Sequence, residues 1–293
     1  VGILPNTAIV TEIPAASDAA AEAAAKPGHT LSGVQKKLLA FREEGGFRPC
    51  LKSSDPATHI AKFNREDLPT LVRNEHLSLS LGGEILGIGE IANAQLGTLH
   101  GIDGIALLVE RFDRASNERL RLEDFAQILG KPRGRRFDGK YQSSYEEAAS
   151  VIDRFSARAK VDLERYFRLV VFNLVIGNAD AHLKNFSLLE RPEGLRLSPA
   201  YDLVNTLIYP YDRETALEIA GQKRSFDVLD RQIVERLGID IGLAKSAVTR
   251  ALDQLSDRFA NAPALQFPTP LTADDFRIIY RDVVIEQAQR IFT

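Results

Sequence analysis

The stretch IGNADAHLKNFSLL, residues 176–189, decides how this chain is read. It follows the apolar run VVFNLVIG (170–177), which has helical periodicity, and it leads into a short strand candidate. Polar residues confined between two core-forming elements are held rigidly, as a reaction centre requires. Asp180 and Asn185 stand five positions apart across the turn. A loop can aim both inward, one as a carboxylate that accepts the proton of an attacking hydroxyl, the other as an amide oxygen on a metal ion. Asp202, in LSPAYDLVNT (197–206) beyond the strand candidate LRL, adds a second acidic group. Asn185 and Asp202 together would hold magnesium against phosphate oxygens, because that ion prefers hard oxygen donors and keeps some waters. Lys184 would set a positive charge beside a transferring phosphoryl group. His182 is expected to hydrogen-bond to backbone or to Asp202 and keep the loop in shape. Each of these residues also has a plain reading: a turn or cap role for Asp180 and Asp202, a loop-bracing amide for Asn185, a solvent-facing charge for Lys184.

Working outward toward the N-terminus, THIAKF (58–63) reads as a strand, and alternation sends Ala61 and Phe63 one way and Lys62 the other. A lysine facing a cleft needs a carboxylate or phosphate partner. PTLVRNEHLSLSLGG (69–83) reads as a helix against a sheet, stopped at Gly82-Gly83, and its Glu75 is the natural partner for Lys62. Such a pair orients ATP phosphates. The basic turn HTLSGVQKK (29–37) feeds the strand candidate LLAF, and Gly33, Val34 and Gln35 could cover phosphates with backbone N–H groups. The chain has no GxxxxGK[ST] sequence. IALLVERF (105–112) is a buried-strand candidate.

Beyond residue 118 the pattern changes. LEDFAQILG, SYEEAASVIDRF, DLERYFRLVVFNLVIG, DVLDRQIVERLG, ALDQLSDRFA and TADDFRIIYRDVVIEQAQRIF all carry helical periodicity, interrupted by a strand pair near 186–200. The expected fold is therefore α+β and bilobal. A β-rich N-terminal lobe covers residues 1–113 and a large helical lobe covers 114–293. The first 28 residues hold an alanine-rich segment with local helix preference, ended by Pro27-Gly28.

With 293 residues, 44% hydrophobic and 26% charged, the chain has material for two packed lobes. A net charge of -3 gives no bulk argument for nucleic-acid binding, although KPRGRR (131–136) is a basic cluster. The single cysteine, Cys50, cannot form an internal disulfide, and no apolar run reaches the length of a membrane span. A cytoplasmic protein without membrane partners is expected.

The ordered set LSGVQKKLL, HIAKF, RNEH, VERFDR, LEDFAQILG, GNADAHLKNFS, YDLVNT and IYP…ALEIAG, spread over roughly residues 29–290, resembles the HipA-like serine/threonine kinases, the toxin kinases of bacterial toxin–antitoxin systems. That resemblance implies a protein-kinase-like bilobal fold and ATP and Mg2+ as cofactors. It implies Asp180 as catalytic base, Asn185 and Asp202 as magnesium ligands and Lys62 as the ATP-phosphate lysine. It sets Glu110 and Phe112 at a hinge whose backbone binds adenine, and Asp113 near the ribose. It makes HTLSGVQKK the phosphate-binding loop, with Thr30 and Ser32 as hydroxyls whose autophosphorylation inactivates the kinase. Only 28 residues precede His29, similar to the short HipT-type branch, in which a small accessory subunit supplies the missing N-terminal subdomain. The implied partners are that subunit, a helix-turn-helix antitoxin through which any DNA contact runs, and a protein substrate, an aminoacyl-tRNA synthetase. Alternatives at this stage are a lipid or small-molecule kinase, transfer of AMP, and a non-catalytic module that keeps the fold.

Overall fold

The computed structural model describes residues 35–52, 54–115, 118–132, 138–267 and 275–293. The protein is α+β, β-rich toward its N-terminus and helical toward its C-terminus. Five strands, β1 (Lys37–Glu43), β2 (Gly46–Pro49), β3 (His59–Phe63), β4 (Ala94–Leu99) and β5 (Ile102–Glu110), close into a barrel in the order β1-β2-β4-β5-β3. Strands β1 and β2 turn on Gly45 (φ 92°) and Gly46 (φ 152°), conformations open to glycine alone at little cost. Strands β2 and β4 escape a pattern reading because GFRP and AQLGTL are short and weakly alternating.

Side-chain alternation gives the barrel strands two faces. Ala61, Phe63, Ala106 and Leu108 fill the barrel with Leu38, Ala40, Phe47 and Leu99. Leu107 and Val109, between them on β5, face the other way into the large core of the molecule. Helix α1 (Leu71–Ile85) packs there with Val72, Leu79, Leu81 and Ile85. The helix passes through Gly82-Gly83 rather than stopping. A Cβ on Gly82 would meet Ile91 Cδ1 at 3.0 Å and Leu203 Cδ1 at 3.4 Å, so the glycine serves close packing.

LEDFAQILG also departs from its expected helix. Leu122–Asp124 forms strand β8, after the short β6 (Arg114–Ala115) and β7 (Glu118–Arg119), and only Phe125–Ile128 is helical (α2). The switch occurs at Asp124, whose carboxylate accepts from the Gln127 N–H at 2.8 Å while Gln127 Oε1 accepts from the Asp124 N–H at 3.0 Å. Strand β8 lines up against β9 (Ser187–Arg191), which pairs in turn with β10 (Gly194–Leu197), in the expected 186–200 region.

The large core is built around helix α4 (Ala159–Val175), preceded by α3 (Tyr145–Phe155). From Leu169 to Val175 every residue of α4 is buried, so the helix runs through the interior. Helices α5 (Arg231–Asp240), α6 (Lys245–Ala260) and α7 (Phe276–Phe292) complete the layer around it. Among the described residues, no helix is long and apolar enough to cross a membrane.

The first turn of α4 carries a fully buried carboxylate, Asp162. It accepts from Arg196 at 2.9 Å, Arg165 at 2.8 Å, Ser156 at 2.6 Å and the Leu197 N–H at 3.0 Å. Burial opposes its charge, but these donors outweigh burial and bring its pKa down to about 2. The folded-state pKa is depressed, so its stabilisation is complete above about pH 4 and is lost as pH falls through 2, about 2 kcal/mol in all. Asp162→Asn removes the charge on which the half-buried Arg165 and Arg196 converge, leaving them only Glu90 and Glu193, and should cost about 2 kcal/mol at pH 7. Urea unfolding at pH 7 checks this; a loss below 1 kcal/mol contradicts it.

Candidate active site

The loop after α4 is fixed from three sides. Gly177 takes φ 70°, and a Cβ there would meet Leu207 at 2.9 Å and Val283 at 3.0 Å, so only glycine fits. Asn178 is buried and donates to Asn173 Oδ1 at 2.7 Å, while its own Oδ1 accepts from the Asp180 N–H at 3.1 Å. Thr206, from the YDLVNT segment, donates its hydroxyl to Gly177 O at 3.0 Å and accepts from the Ala179 N–H at 2.7 Å. The loop is thus braced by the chain segment that carries Asp202.

That segment is in turn tied to α1. Asn74 Nδ2 donates to Asn205 O at 2.9 Å, and Asn74 Oδ1 accepts from the Asn205 N–H at 3.0 Å. One fully buried asparagine therefore sets helix α1 in register with Asp202. The next residue on α1 is Glu75, and it faces Lys62 on β3.

Lys62 is bonded to Glu75 at 2.5 Å and to Asp202 at 2.7 Å, with its side chain 8% exposed and that of Glu75 1% exposed. Burial opposes charge on this ammonium, but Asp202 and Glu75 outweigh it and push its pKa upward. Burial likewise opposes ionisation of Asp202, and Lys62 and Lys37 reverse that, holding its carboxyl well below the usual range. Lys37 stands opposite Lys62 in the β1–β3 register. Asp202 adopts φ 59°, a left-handed conformation rare for a residue with a Cβ, held by bonds on both of its oxygens.

Asn185 completes the junction, in an orientation other than expected. Its amide nitrogen donates to Asp202 Oδ2 at 2.9 Å, and its amide oxygen accepts from the His182 N–H at 2.9 Å. The oxygen expected on a metal is thus engaged inside the loop, and metal ligation requires the amide to turn. Among the described residues no group of three or more His, Cys, Asp or Glu side chains could hold a metal ion. One carboxylate and one amide fit an ion that takes its remaining ligands from phosphate and water, which is the habit of magnesium.

Asp180 lies on the neighbouring turn. Its recessed position pushes its pKa up to about 6, an effect that Lys140 and the Tyr141 hydroxyl partly offset. The Tyr141 O–H donates to Asp180 Oδ1. Of the two partners expected for His182, Asp202 is not one: the His182 Nε2 lies 2.6 Å from Lys140 Nζ instead. Burial and the Lys140 charge bring its pKa down to about 3, so the ring is neutral. Lys184 also differs. In the turn Leu183–Asn185 its neighbours point inward, whereas its ammonium sits 3.6 Å from Asp124 with the side chain 51% exposed. The cations that act on Asp180 are Lys140 and Lys37.

Gln35 donates to Phe63 O at 3.0 Å, clipping the entry of β1 to the end of β3. Glu110, at the end of β5, accepts from Asn93 Nδ2 at 2.8 Å, and Phe112 packs on Tyr201 with ring centroids 5.8 Å apart. The Asp113 carboxylate is held by Arg111 at 2.8 Å and Arg114 at 2.7 Å. Thr30, Ser32, Gly33 and Val34, and most of KPRGRR, lie outside the described residues. Lys62, Glu75, Asn185 and Asp202 therefore converge at one place with Asp180 beside them. Lys37, Asn74, Lys140 and Tyr141 are the additions. Asn74 and Lys37 sit inside recognisable motifs, RNEH and HTLSGVQKK; DGKY carries no periodic or motif signal of its own.

Comparison with known proteins bears on this arrangement. The family profile for the HipA-like C-terminal domain matches residues 29–262. Y4mE of Sinorhizobium fredii is 30% identical over 257 residues, 85% of this chain and 60% of that protein. The serine/threonine-protein kinase toxin HipA of Shewanella oneidensis is 29% identical over 289 residues, 90% of this chain and 64% of that protein. The chain spans about three-fifths of the length of the curated relatives it matches. Among solved structures, a chain of the Shewanella oneidensis MR-1 toxin–antitoxin complex of HipA, HipB and operator DNA superposes with a TM-score of 0.69 at 26% identity, over 91% of this chain and 66% of that one. The Helicobacter pylori proinflammatory kinase CtkA gives 0.50 at 15% identity, over 80% and 91%, a likeness of fold.

Proposed function

Because this chain belongs to the HipA-like C-terminal domain family, we propose that it is an ATP-dependent serine/threonine protein kinase of bilobal architecture, with lobes 1–113 and 114–293. The observation that carries this reading is the convergence of Lys62 with Glu75 and Asp202 at 2.5 and 2.7 Å, and of Asp202 with Asn185 at 2.9 Å, beside the recessed carboxylate of Asp180. Five side chains from separate stretches of the sequence meet at one place, and phosphoryl transfer needs such a set: a cation for the phosphates, oxygen donors for a metal, and a proton acceptor.

In this mechanism Lys62, kept charged by its two carboxylates, binds phosphate oxygens of ATP. Asp202 and, once its amide turns, Asn185 would hold magnesium, which supplies charge neutralisation at the phosphates. The backbone around Glu110 and Phe112 takes the adenine, with Asp113 toward the ribose. The acceptor hydroxyl approaches on the side bordered by Ala179 and Tyr141, where a cavity of 680 Å3 opens. Its oxygen bonds to the γ-phosphorus, its proton passes to Asp180, and the bond from the γ-phosphorus to the β–γ bridging oxygen breaks, releasing ADP. Positioning and charge supply most of the rate, because a carboxylate is too weak to ionise an alcohol beforehand.

The HipA of the Shewanella complex is bound to HipB and operator DNA. By analogy this chain acts as a toxin kinase with a helix-turn-helix antitoxin, and touches DNA through that partner. Its substrate is a protein hydroxyl, on an aminoacyl-tRNA synthetase. ATP labelled at the γ or the α position, given with magnesium and candidate protein acceptors, tests the reading. Label from the γ position should appear on serine or threonine. Label from the α position, or transfer only to lipids or small molecules, would overturn it.

Regulation follows from the loop HTLSGVQKK. If this loop binds ATP phosphates as the family resemblance implies, a phosphate on Thr30 or Ser32, adding about -1.5 to -2 charges, repels them, and autophosphorylation lowers ATP affinity. Mass spectrometry should find the modified hydroxyl, and calorimetry should find at least tenfold weaker ATP binding in that form. Equal affinity in both forms rules the inhibition out.

A further inference from the structure

The turn Asp138–Tyr141, just before α3, sends two side chains into the loop that carries Asp180. The Tyr141 hydroxyl donates to one oxygen of that carboxylate, Oδ1. Its ring meets the ring of His182 edge-on, with centroids 5.1 Å apart and planes at 72°. Lys140 Nζ lies 2.6 Å from His182 Nε2, and the ammonium groups of Lys140 and Lys223 stand 5.0 and 5.4 Å from the centre of the Tyr141 ring. The turn itself is firmly seated. Gly139 is pressed against Pro132 so closely that a Cβ would fall 1.7 Å from the Pro132 carbonyl oxygen, and the Gln142 N–H closes the turn on Gly139 O at 3.1 Å.

An aspartate carboxyl rotates easily about its last bond, whose energy wells are broad. The bonds made by Asn178 and Thr206 fix the backbone of the loop. The carboxylate itself is gripped by Tyr141. A hydrogen bond from a hydroxyl to an ionised carboxylate is roughly twice as strong as a neutral one, enough to hold one rotamer.

We propose that Tyr141 is a positioning residue for phosphoryl transfer: its hydroxyl pins Oδ1 of Asp180 so that Oδ2 faces the acceptor, while Lys140 and His182 brace the ring. The proposal rests on Asp180 being the proton acceptor. During transfer the acceptor's proton moves to Oδ2, and Tyr141 keeps its own.

Tyr141→Phe removes the donor and keeps the ring. Steady-state transfer of the γ-phosphate should show kcat lowered about 10- to 100-fold, the cost of a mispositioned group, with KM for ATP within twofold of wild type. Replacing Tyr141 with 4-aminophenylalanine, which keeps the ring, its reach and a donor at its tip, should recover part of that kcat. Wild-type kcat in Y141F overturns the proposal, as does a defect confined to KM for ATP. If Y141F does not fold, the 4-aminophenylalanine variant decides alone: a kcat within about tenfold of wild type supports pinning by a donor, and a larger loss overturns it. A wild-type protein without any transfer sinks the kinase reading instead, so the two failures are distinguishable.

Discussion

Asp180→Asn cripples phosphoryl transfer and spares ATP binding. The amide has nearly the shape of the carboxylate and can still accept from Tyr141, but it cannot take up a proton. General-base contributions run to about 10²- to 10⁴-fold, so kcat should fall by that much. ATP affinity should stay within a few-fold, because the cation and the metal ligands are Lys62, Asn185 and Asp202. The pH profile is a second signature of the same residue. Its pKa, pushed up to about 6 by burial, sets where the base is lost. Transfer needs the ionised carboxylate, so activity should be flat above about pH 7 and fall about tenfold per pH unit below 6. Any residual activity of D180N should lack that acid limb. A variant that transfers phosphate at the wild-type rate removes Asp180 from the mechanism.

Lys62→Met should damage both activity and stability, and the two can be separated. The cation that meets ATP phosphates is gone, a loss of about 10²- to 10³-fold in kcat/KM. Glu75, 1% exposed, also loses its counter-charge beside Asp202. Removing one partner of a buried ion pair costs about 3–5 kcal/mol. Adding Glu75→Gln should return much of the stability and none of the activity, since the buried charge is relieved while the phosphate site stays empty of its lysine. Urea unfolding together with transfer assays on K62M and the K62M/E75Q pair checks both halves. Full activity in the double variant, or unchanged stability in K62M, contradicts this account of the junction.

The parts of the site that were legible in the sequence share a physical cause. Strand alternation alone separates Lys62 from Ala61 and Phe63, and helical spacing alone offers Glu75 on the neighbouring element. Asp180, Asn185 and Asp202 stand out because polar residues are dense where apolar elements flank them. What escaped depends on packing between distant segments. Lys184 and Asn185 are adjacent, yet a tight turn points one at Asp124 and the other at Asp202, a matter of side-chain direction that composition does not carry. Tyr141 and Lys140 lie about 40 residues from Asp180 and His182, in a turn whose sequence, DGKY, has no periodicity. Helix α1 and strand β8 depart from their local sequence preference because tertiary packing overrules it. Gly82 is a stop signal by itself but a spacer against Ile91 and Leu203 in place. LED has helical neighbours, yet its backbone hydrogen-bonds with β9. Strand β4 carries a glycine at 97, where a Cβ would lie 2.7 Å from the Leu108 Cδ1 of the neighbouring β5, a closeness that arises only once the two strands pair.

The most direct measurement is a crystal structure of the protein with magnesium and a non-hydrolysable ATP analogue. The account predicts the triphosphate against Lys62, the metal on Asp202 and on an Asn185 amide turned from its present bond, and the adenine beside Glu110 and Phe112. Nucleotide bound elsewhere, for instance in the 220 Å3 cavity lined by Arg165, Arg168 and Arg258, with Lys62 still closed on Glu75 and Asp202, would contradict it.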